Sequence, residues 1–336
     1  MARSRSAVIG LLMMNFSAES AHAQSVADFY RGKTVNVLIG SGIGGEYDLQ
    51  ARLVARHIGK YIPGNPLVVP QSMIGAGGLQ MVNYLFTQAA KDGTNIGMLG
   101  NNLPASQAVG AKGVRFDANK FHWLGTIAPV VETMAVLTST GIRTVDDLRK
   151  TEIVAGSAGR GTITYSFPSM MNEYLGTRFK VVTGYKGGPP INIAMERGEV
   201  QARVNTWSSW KATKPDWLRD KFITIVVQAG PRASDLDAPS VESFAKTAEE
   251  RQIIELITSG AHVGRPMATT PDVPEDRVKA LRAAYRATMV DPQFRAEAAK
   301  ARFEIAPIHG EELQSIVAKI LSTPRELAAR AKHLAE

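Results

Sequence analysis

Two glycine-rich segments have the residue types and spacing suited to binding an anion. The first, Gly40-x-Gly42-x-x-Gly45, follows a β-rich run and precedes a helix-like one. The second, at residues 156–162, reads GSAGRGT and also lies between a strand-like and a helix-like segment. A glycine loop that enters a helix exposes backbone N–H groups at the positive end of the helix dipole. Both segments therefore predict sites for small anions.

Each loop also resembles a known cofactor or catalytic motif but lacks one required residue. A dinucleotide fingerprint needs an acidic residue at the end of the second strand to bind the ribose. No acid lies between Lys60 and Gln71. The nucleophile elbow of serine hydrolases, G-x-S-x-G, needs a glycine where this chain has Ala155. We therefore expect no nucleotide cofactor, and a hydrolase is the weaker interpretation.

The remaining polar residues form no recognisable catalytic or metal centre. None of the six histidines has a neighbouring acid in a triad pattern, and no His, Asp and Glu cluster has metal-ligand spacing. The chain has no cysteine, which excludes disulfides, thiolate metal sites, a cysteine nucleophile and a lipidated anchor. The sequence thus favours a binding protein with no enzymatic activity, no cofactor and no metal.

Alternating strand-like and helix-like segments position these loops. A helix capped by Asp48 and a second at 79–90 separate the first strands, and a later helix begins after Thr144. Such β-loop-α passages predict mainly parallel sheets flanked by helices. The predicted strands are 34–39, 67–69, 95–99, 131–137, 153–155, 179–183, 201–204 and 222–227, and further helices are predicted at 163–175, 191–197, 277–289, 292–302, 310–321 and 324–334.

The first residues predict export. Arg3 and Arg5 precede an apolar run at residues 7–16, and small residues follow at Ala21 and Ala23. These are the three parts of a secretory signal peptide, and the run is about half the length that a bilayer requires. We expect cleavage between Ala23 and Gln24 and a mature protein in the periplasm of a Gram-negative cell, with secretion as the alternative. The net charge of +8 is scattered, which argues against a nucleic-acid partner.

Five motifs in order resemble the receptors of tripartite tricarboxylate transporters, the Bug-type periplasmic solute-binding proteins. The first loop and helix read IGSGIGGEYDLQAR, where the family has P-G-G-G-x-D and an A-R pair. QSMIGAGG corresponds to N-R-P-G-A-G-G, and KDGTNIGML corresponds to P-D-G-x-T-L-L. GSAGRGT and the Y-K-G turn at residues 185–187 are intact. The similarity extends from about Phe29 to the C-terminal helices.

The resemblance implies two α/β lobes that are joined by a hinge and close on a small organic acid. With the strand sets, it divides the chain into a signal peptide at 1–23, a first lobe at 24–126 plus 260–336 and a second lobe at 127–259. The implied partners are a small carboxylate and the integral-membrane permease subunits of the transporter, and the receptor is expected to be a monomer. An exported hydrolase or lyase that uses the same cleft stays open as an alternative, as does a ligand-sensing partner of a membrane kinase.

The family's ligand-contacting positions transfer to this chain residue by residue. Four further residues depart from the family pattern and bear on ligand size and charge: Tyr47 in place of a small hydroxyl residue, the cation Arg160, and Asn205 and Trp207 in a stretch that replaces D-N-x. The complete predicted ligand set is Gly42, Gly44, Gly45, Tyr47, Asp48, Gly75, Ala76, Gly77, Gly78, Asn101, Asn102, Ser157, Arg160, Thr162, Tyr185, Lys186, Asn205 and Trp207.

Overall fold

The computed structural model of the protein describes residues 25–335, so the predicted signal peptide lies outside the described residues. Within that range no helix has the length and apolarity needed to cross a membrane. The strands are β1 (Thr34–Ile39), β2 (Leu67–Ser72), β3 (Asn95–Met98), β4 (His122–Thr126), β5 (Glu132–Leu137), β6 (Ile153–Gly156), β7 (Phe179–Val182), β8 (Ala202–Thr206), β9 (Ile223–Ala229), β10 (Pro266–Thr269) and β11 (Ile308–His309).

Helices connect and cover these strands. They are α1 (Val26–Tyr30), α2 (Glu46–Ile58), α3 (Leu79–Thr87), α4 (Leu103–Ala108), α5 (Val145–Lys150), α6 (Ile163–Met170), α7 (Gly188–Glu196), α8 (Trp207–Thr213), α9 (Pro215–Arg219), α10 (Ala248–Thr258), α11 (Gly260–Val263), α12 (Glu275–Val290), α13 (Pro292–Lys300), α14 (Gly310–Leu321) and α15 (Arg325–Ala331). A π-helical turn, Met171–Leu175, continues α6.

The strands form two sheets, one in each lobe. The first has the order β11-β4-β10-β3-β1-β2, with β1 parallel to both β2 and β3. The second has the order β7-β6-β8-β5-β9, with β6 parallel to both β7 and β8. Each sheet carries helices, as the alternating pattern predicts.

The expectation that the sheets are mainly parallel is wrong, because both are mixed. In the first sheet β10 runs antiparallel to β3 and β4, and β11 runs antiparallel to β4. In the second sheet β5 runs antiparallel to β8 and β9. The reason is connectivity: β5 and β10 enter their sheets from the other lobe and are not joined to their neighbours by a β-helix-β crossover, the connection that makes strands parallel.

Local sequence signals explain most element boundaries. Thr144 caps α5 as predicted, and Asp147 completes a capping box with it. The predicted N-cap role of Asp48 is wrong, because α2 begins at Glu46 with Gly45 as its N-cap. Asp48 lies in the first turn, where its Oδ2 accepts a hydrogen bond from Gly44 N at 3.0 Å. The carboxylate therefore fixes the loop that precedes the helix.

The chain crosses between the two sheets at residues 127–131 and 230–265, and these segments lie side by side. Val130 N donates to Ala261 O at 2.8 Å. Gly264 has φ +71°, and a Cβ at this position would lie 2.1 Å from Ala128 O. Only glycine tolerates that contact in this backbone region, so the crossing is closely packed.

Candidate functional site

A cavity of about 1090 Å³ lies between the two sheets. The loops that line it follow the carboxyl ends of β1, β2, β3, β6 and β7. In open α/β sheets this edge is where ligands bind, because the helices that follow present their N-termini to it. We call the lining segments at residues 40–45, 74–78, 158–162 and 183–188 the glycine loops.

The first glycine loop is in close contact with the fourth. A Cβ on Gly42 would lie 2.1 Å from the carbonyl oxygen of Lys186, which belongs to the other lobe. Gly44 has φ +76°, a conformation that favours glycine, and its N–H is held by Asp48. The loop leads into α2, whose first N–H groups have no acceptor within the helix. Backbone donors therefore face the cavity from this side.

The second glycine loop is built on left-handed residues. Ala76, Gly77 and Gly78 have φ values of +46°, +65° and +97°, and α3 begins directly after them at Leu79. A Cβ on Gly77 would lie 2.4 Å from the Thr162 methyl group across the cleft. This loop, like the first, therefore contacts the opposite lobe through a glycine.

The loop after β6 is held by hydroxyl groups. The Ser157 side chain is fully buried; its Oγ accepts from Gly159 N at 3.1 Å and lies 3.1 Å from Thr164 Oγ1. Thr162 is the N-cap residue of α6, but its Oγ1 accepts no hydrogen bond from a helix N–H; it donates to Gly159 O at 2.6 Å. Asn102 Nδ2 donates to Gly161 O from the first lobe. These bonds fix the loop, and residues 158–160 and Thr162 of this loop line the cavity.

Four buried charged residues also line the cavity: Glu46, Glu132, Arg203 and Arg265. We call them the buried charge cluster. Arg265 Nη2 lies 2.5 Å from Glu46 Oε2, and that carboxylate also accepts from Thr206 Oγ1 at 2.9 Å. Asn101 Nδ2 donates to Glu132 Oε1 at 2.8 Å. The bonds to Thr206 and Asn101 cross between the lobes, so the cluster joins the two halves of the cleft.

Burial shifts the ionisation of this cluster and of the tyrosine beside it. Loss of solvation raises the pKa of the Glu132 carboxyl, opposed by the bond from Asn101 and the charge of Arg265. Burial also raises the pKa of Tyr47 to about 12. The Tyr47 hydroxyl accepts from Asn101 N at 3.1 Å, and its ring lies 4.8 Å from the Arg265 guanidinium. Tyr47 is thus a neutral packing partner of the cluster.

Basic residues outnumber acidic ones in the cavity lining. Seven residues are basic, whereas Glu46 and Glu132 are the acidic ones, and both of these accept hydrogen bonds within the protein. A concave surface with this balance attracts anions. The basic residues are Lys112, Arg115, Arg160, Lys186, Arg203, Lys214 and Arg265. Among the described residues no group of three or more His, Cys, Asp or Glu side chains is placed to hold a metal ion.

The structure places 15 of the 18 predicted ligand residues in the cavity lining, and three lie outside it. Asp48 is turned to Gly44, and Ser157 is buried behind its loop. Trp207 Nε1 donates to Asp235 Oδ1 at 2.8 Å, which is consistent with a packing role on the surface. The 15 are Gly42, Gly44, Gly45, Tyr47, Gly75, Ala76, Gly77, Gly78, Asn101, Asn102, Arg160, Thr162, Tyr185, Lys186 and Asn205.

The sequence reasoning missed the buried charge cluster. Glu46 directly follows the first glycine motif and precedes Tyr47, and this position was the sequence signal that could have indicated a charged residue at the cleft. Arg203 and Arg265 carry no motif of their own, because only the packing of β8 and of the segment before β10 brings them to the cleft.

This geometry was compared with that of known proteins. No family model matches the chain. It is 24% identical over 208 residues to a UPF0065 protein of Bordetella bronchiseptica, and this match spans 60% of the chain and 59% of that protein. The structure superposes on the periplasmic binding protein BugD with a TM-score of 0.73 at 18% identity, covering 90% of this chain and 98% of BugD.

Two further solved structures extend the comparison. MatC from Rhodopseudomonas palustris with bound malate has a TM-score of 0.67 at 18% identity, covering 90% of this chain and 99% of MatC. Rpa4515 from R. palustris with adipate has a TM-score of 0.69 at 16% identity, covering 89% and 97%. The chain has the fold of the Bug-type periplasmic binding proteins. The predicted resemblance and two-lobed α/β fold are therefore confirmed, and BugD is a periplasmic binding protein.

Proposed function

We propose that this protein is a periplasmic receptor that captures a small organic acid in the cleft between its lobes. The observation that carries the proposal is the cavity lining, in which backbone loops from both lobes converge and basic residues outnumber acidic ones by seven to two. Malate in MatC and adipate in Rpa4515 support a carboxylate as the ligand class. The receptor acts without catalysis and without a cofactor.

Backbone donors of the glycine loops are sufficient for useful affinity. A hydrogen bond to a charged group contributes about 1.5–3 kcal/mol. Four or five such bonds are ample for micromolar binding, roughly 8 kcal/mol, after the costs of ordering ligand and loops. The predicted residues of the glycine loops that line the cavity would then supply the contacts, and the loops of both lobes are needed together.

We propose lobe boundaries at 126/127 and 259/260, so that residues 24–126 and 260–336 form one lobe and 127–259 the other. Strands β1 to β4, β10 and β11 share one sheet, and β5 to β9 share the other, which supports this division. Hinge motion would concentrate in the paired crossing segments at 127–131 and 230–265. Gly230 (φ +90°) and Gly264 lie in the second of them.

The contacts across the cleft describe a closed receptor. Gly42 meets Lys186, Gly77 meets Thr162, and Thr206 bonds to Glu46. We propose that this closed form, as a monomer in the periplasm after cleavage at Ala23–Gln24, is presented to the permease subunits of a tripartite tricarboxylate-type transporter. Closure creates a continuous surface from both lobes, which a permease can distinguish from the open form.

A ligand panel tests this function. Thermal unfolding of the periplasmic protein is followed with di- and tricarboxylates, sugars and NAD. An acid should raise the melting temperature, since a ligand at a hundredfold excess over Kd stabilises the native state by about 2.7 kcal/mol. The bound acid should be recovered unchanged after denaturation. A shift by a sugar or NAD alone, or conversion of the acid, would contradict the proposal.

A further inference from the structure

Arg203 is a buried guanidinium without a carboxylate partner. It lies on β8, is 6% exposed and lines the cavity. Its Nη1 donates to Gly188 O at 3.2 Å and to Asn192 Oδ1, which are both uncharged acceptors. Its Nε has no hydrogen-bond partner. Among the described residues no Asp or Glu oxygen lies within 4.0 Å of its nitrogens.

The groups around Arg203 add further donors that have no acceptor. Nε and Nη1 of Arg265 are buried without a partner, and so is Nδ2 of Asn205. The acidic members of the buried charge cluster are engaged already, Glu46 by Arg265 and Glu132 by Asn101. This part of the cavity therefore holds more hydrogen-bond donors than the protein itself satisfies.

A fold retains such an arrangement at a cost. A buried cation that no carboxylate contacts directly is destabilising, and a buried donor without an acceptor adds to that cost. Burial lowers the pKa of Arg203 to about 9; the charge of Glu132 opposes this shift, and the charge of Arg265 adds to it. Near neutral pH the guanidinium therefore keeps its charge, and an acidic group from outside the protein would supply what is missing.

We propose that Arg203, assisted by the unpartnered nitrogens of Arg265 and Asn205, binds a second acidic group of the ligand. The preferred ligand is then a dianion, with one carboxylate on the glycine loops and the other on the guanidinium. This inference rests on the proposed function, since it assumes that the cleft takes a carboxylate. A cavity of about 1090 Å³ has room for a molecule that reaches both places.

The test removes each side of the contact separately. Straight-chain dicarboxylates of four to eight carbons are titrated calorimetrically into the wild-type protein, and the tightest is compared with its own monoamide. The same pair is then titrated into Arg203→Met. Arg282→Met is the matched control, because Arg282 donates to Trp123 O at 2.9 Å outside the cavity.

We expect the wild type and the Arg282 variant to bind the diacid at least tenfold more tightly than the monoamide. In Arg203→Met this preference should fall below threefold, while the monoamide is still bound. If Arg203→Met weakens both ligands equally and keeps the preference, the contact is absent and the inference is overturned, although the proposed function stands. If no acid binds the wild-type protein, the proposed function itself fails.

Discussion

The glycine loops and the buried charge cluster line one cavity but present different kinds of donor. The loops offer neutral backbone N–H groups whose positions are set by left-handed residues such as Gly77 and Gly78. The cluster offers buried side-chain charges, of which Glu46 and Arg265 form an ion pair. Backbone donors bind any carboxylate of suitable size, whereas fixed charges discriminate among ligands by the number and spacing of their acidic groups.

The two regions also differ in how they join the lobes. The loops meet through close approaches of glycines, with no side chain between Gly42 and the Lys186 carbonyl. The cluster joins the lobes through hydrogen bonds of buried side chains, from Thr206 to Glu46 and from Asn101 to Glu132. A change in the loops should therefore act on closure and affinity, and a change in the cluster should act first on stability.

Glu46→Gln should have the largest effect, on stability. It removes the charge that pairs with Arg265, whose side chain is 4% exposed, and breaking a buried ion pair costs about 3–5 kcal/mol. Urea unfolding would measure the loss. Glu275→Gln is the control, because its pair with Lys279 is exposed and should leave the unfolding curve unchanged. A Glu46→Gln protein as stable as the control would show that the cluster is not a structural unit.

Gly42→Ala should have the second-largest effect, and this effect should be on ligand affinity. The added Cβ meets the Lys186 carbonyl and holds the lobes apart, so ligand binding should weaken about a hundredfold, which corresponds to about 2.7 kcal/mol. Calorimetric titration with the tightest diacid gives the affinity, and small-angle scattering gives the opening. Ile43→Ala is the control in the same loop, since the Ile43 side chain is 65% exposed and outside the cavity lining. Unchanged affinity in Gly42→Ala would mean that binding does not need closure.

Ser157→Ala should lower stability more than affinity. Its hydroxyl bonds within the loop, to Gly159 N and Thr164 Oγ1, so the expected loss is about 1–2 kcal/mol of unfolding free energy. The change in Kd should stay within about threefold. Apo melting curves beside titrations separate the two, and Ser315→Ala on the exposed face of α14 serves as the control. A tenfold loss of affinity with normal melting would instead return Ser157 to the ligand contacts that the sequence predicts.

Arg160→Gln should have the smallest effect. Arg160 is exposed at the cavity, so it attracts an anionic ligand through solvent. Its loss should slow association about two- to fourfold at low salt and have no effect near 1 M salt, where charges are screened beyond roughly 3 Å. Stopped-flow mixing at both ionic strengths measures this, with Lys300→Gln as a distant control. A salt-independent loss would place Arg160 in direct contact with the ligand.

Local signals made the loops predictable from sequence. The strand at 34–39, the capped start of α5 at Thr144 and the helix at 310–321 have the predicted positions. Glycines that follow such strands carry the site, so 15 of the 18 predicted residues reach the cavity lining. Their contact with the ligand stays a prediction.

The features that could not be predicted from the sequence depend on packing between residues that are distant along the chain. Arg203 lies on β8 and Arg265 precedes β10, so their proximity to Glu46 depends on how two lobes are placed. The direction of β10 likewise depends on a chain that returns from the other lobe. Asp48 was misread for a local reason, because a carboxylate in the first helical turn can hold the preceding loop as well as cap the helix from outside.

The position of β10 also constrains the order in which the protein can fold. This strand lies between β3 and β4, although residues 127–265 separate it from β4 along the chain. The first sheet therefore stays split in two until β10 is added between β3 and β4, whereas the five strands of the second sheet are contiguous within residues 132–229. Non-local strand pairing is slow to form. A chain truncated before β10 should accordingly show protease protection in the second lobe and none in the first.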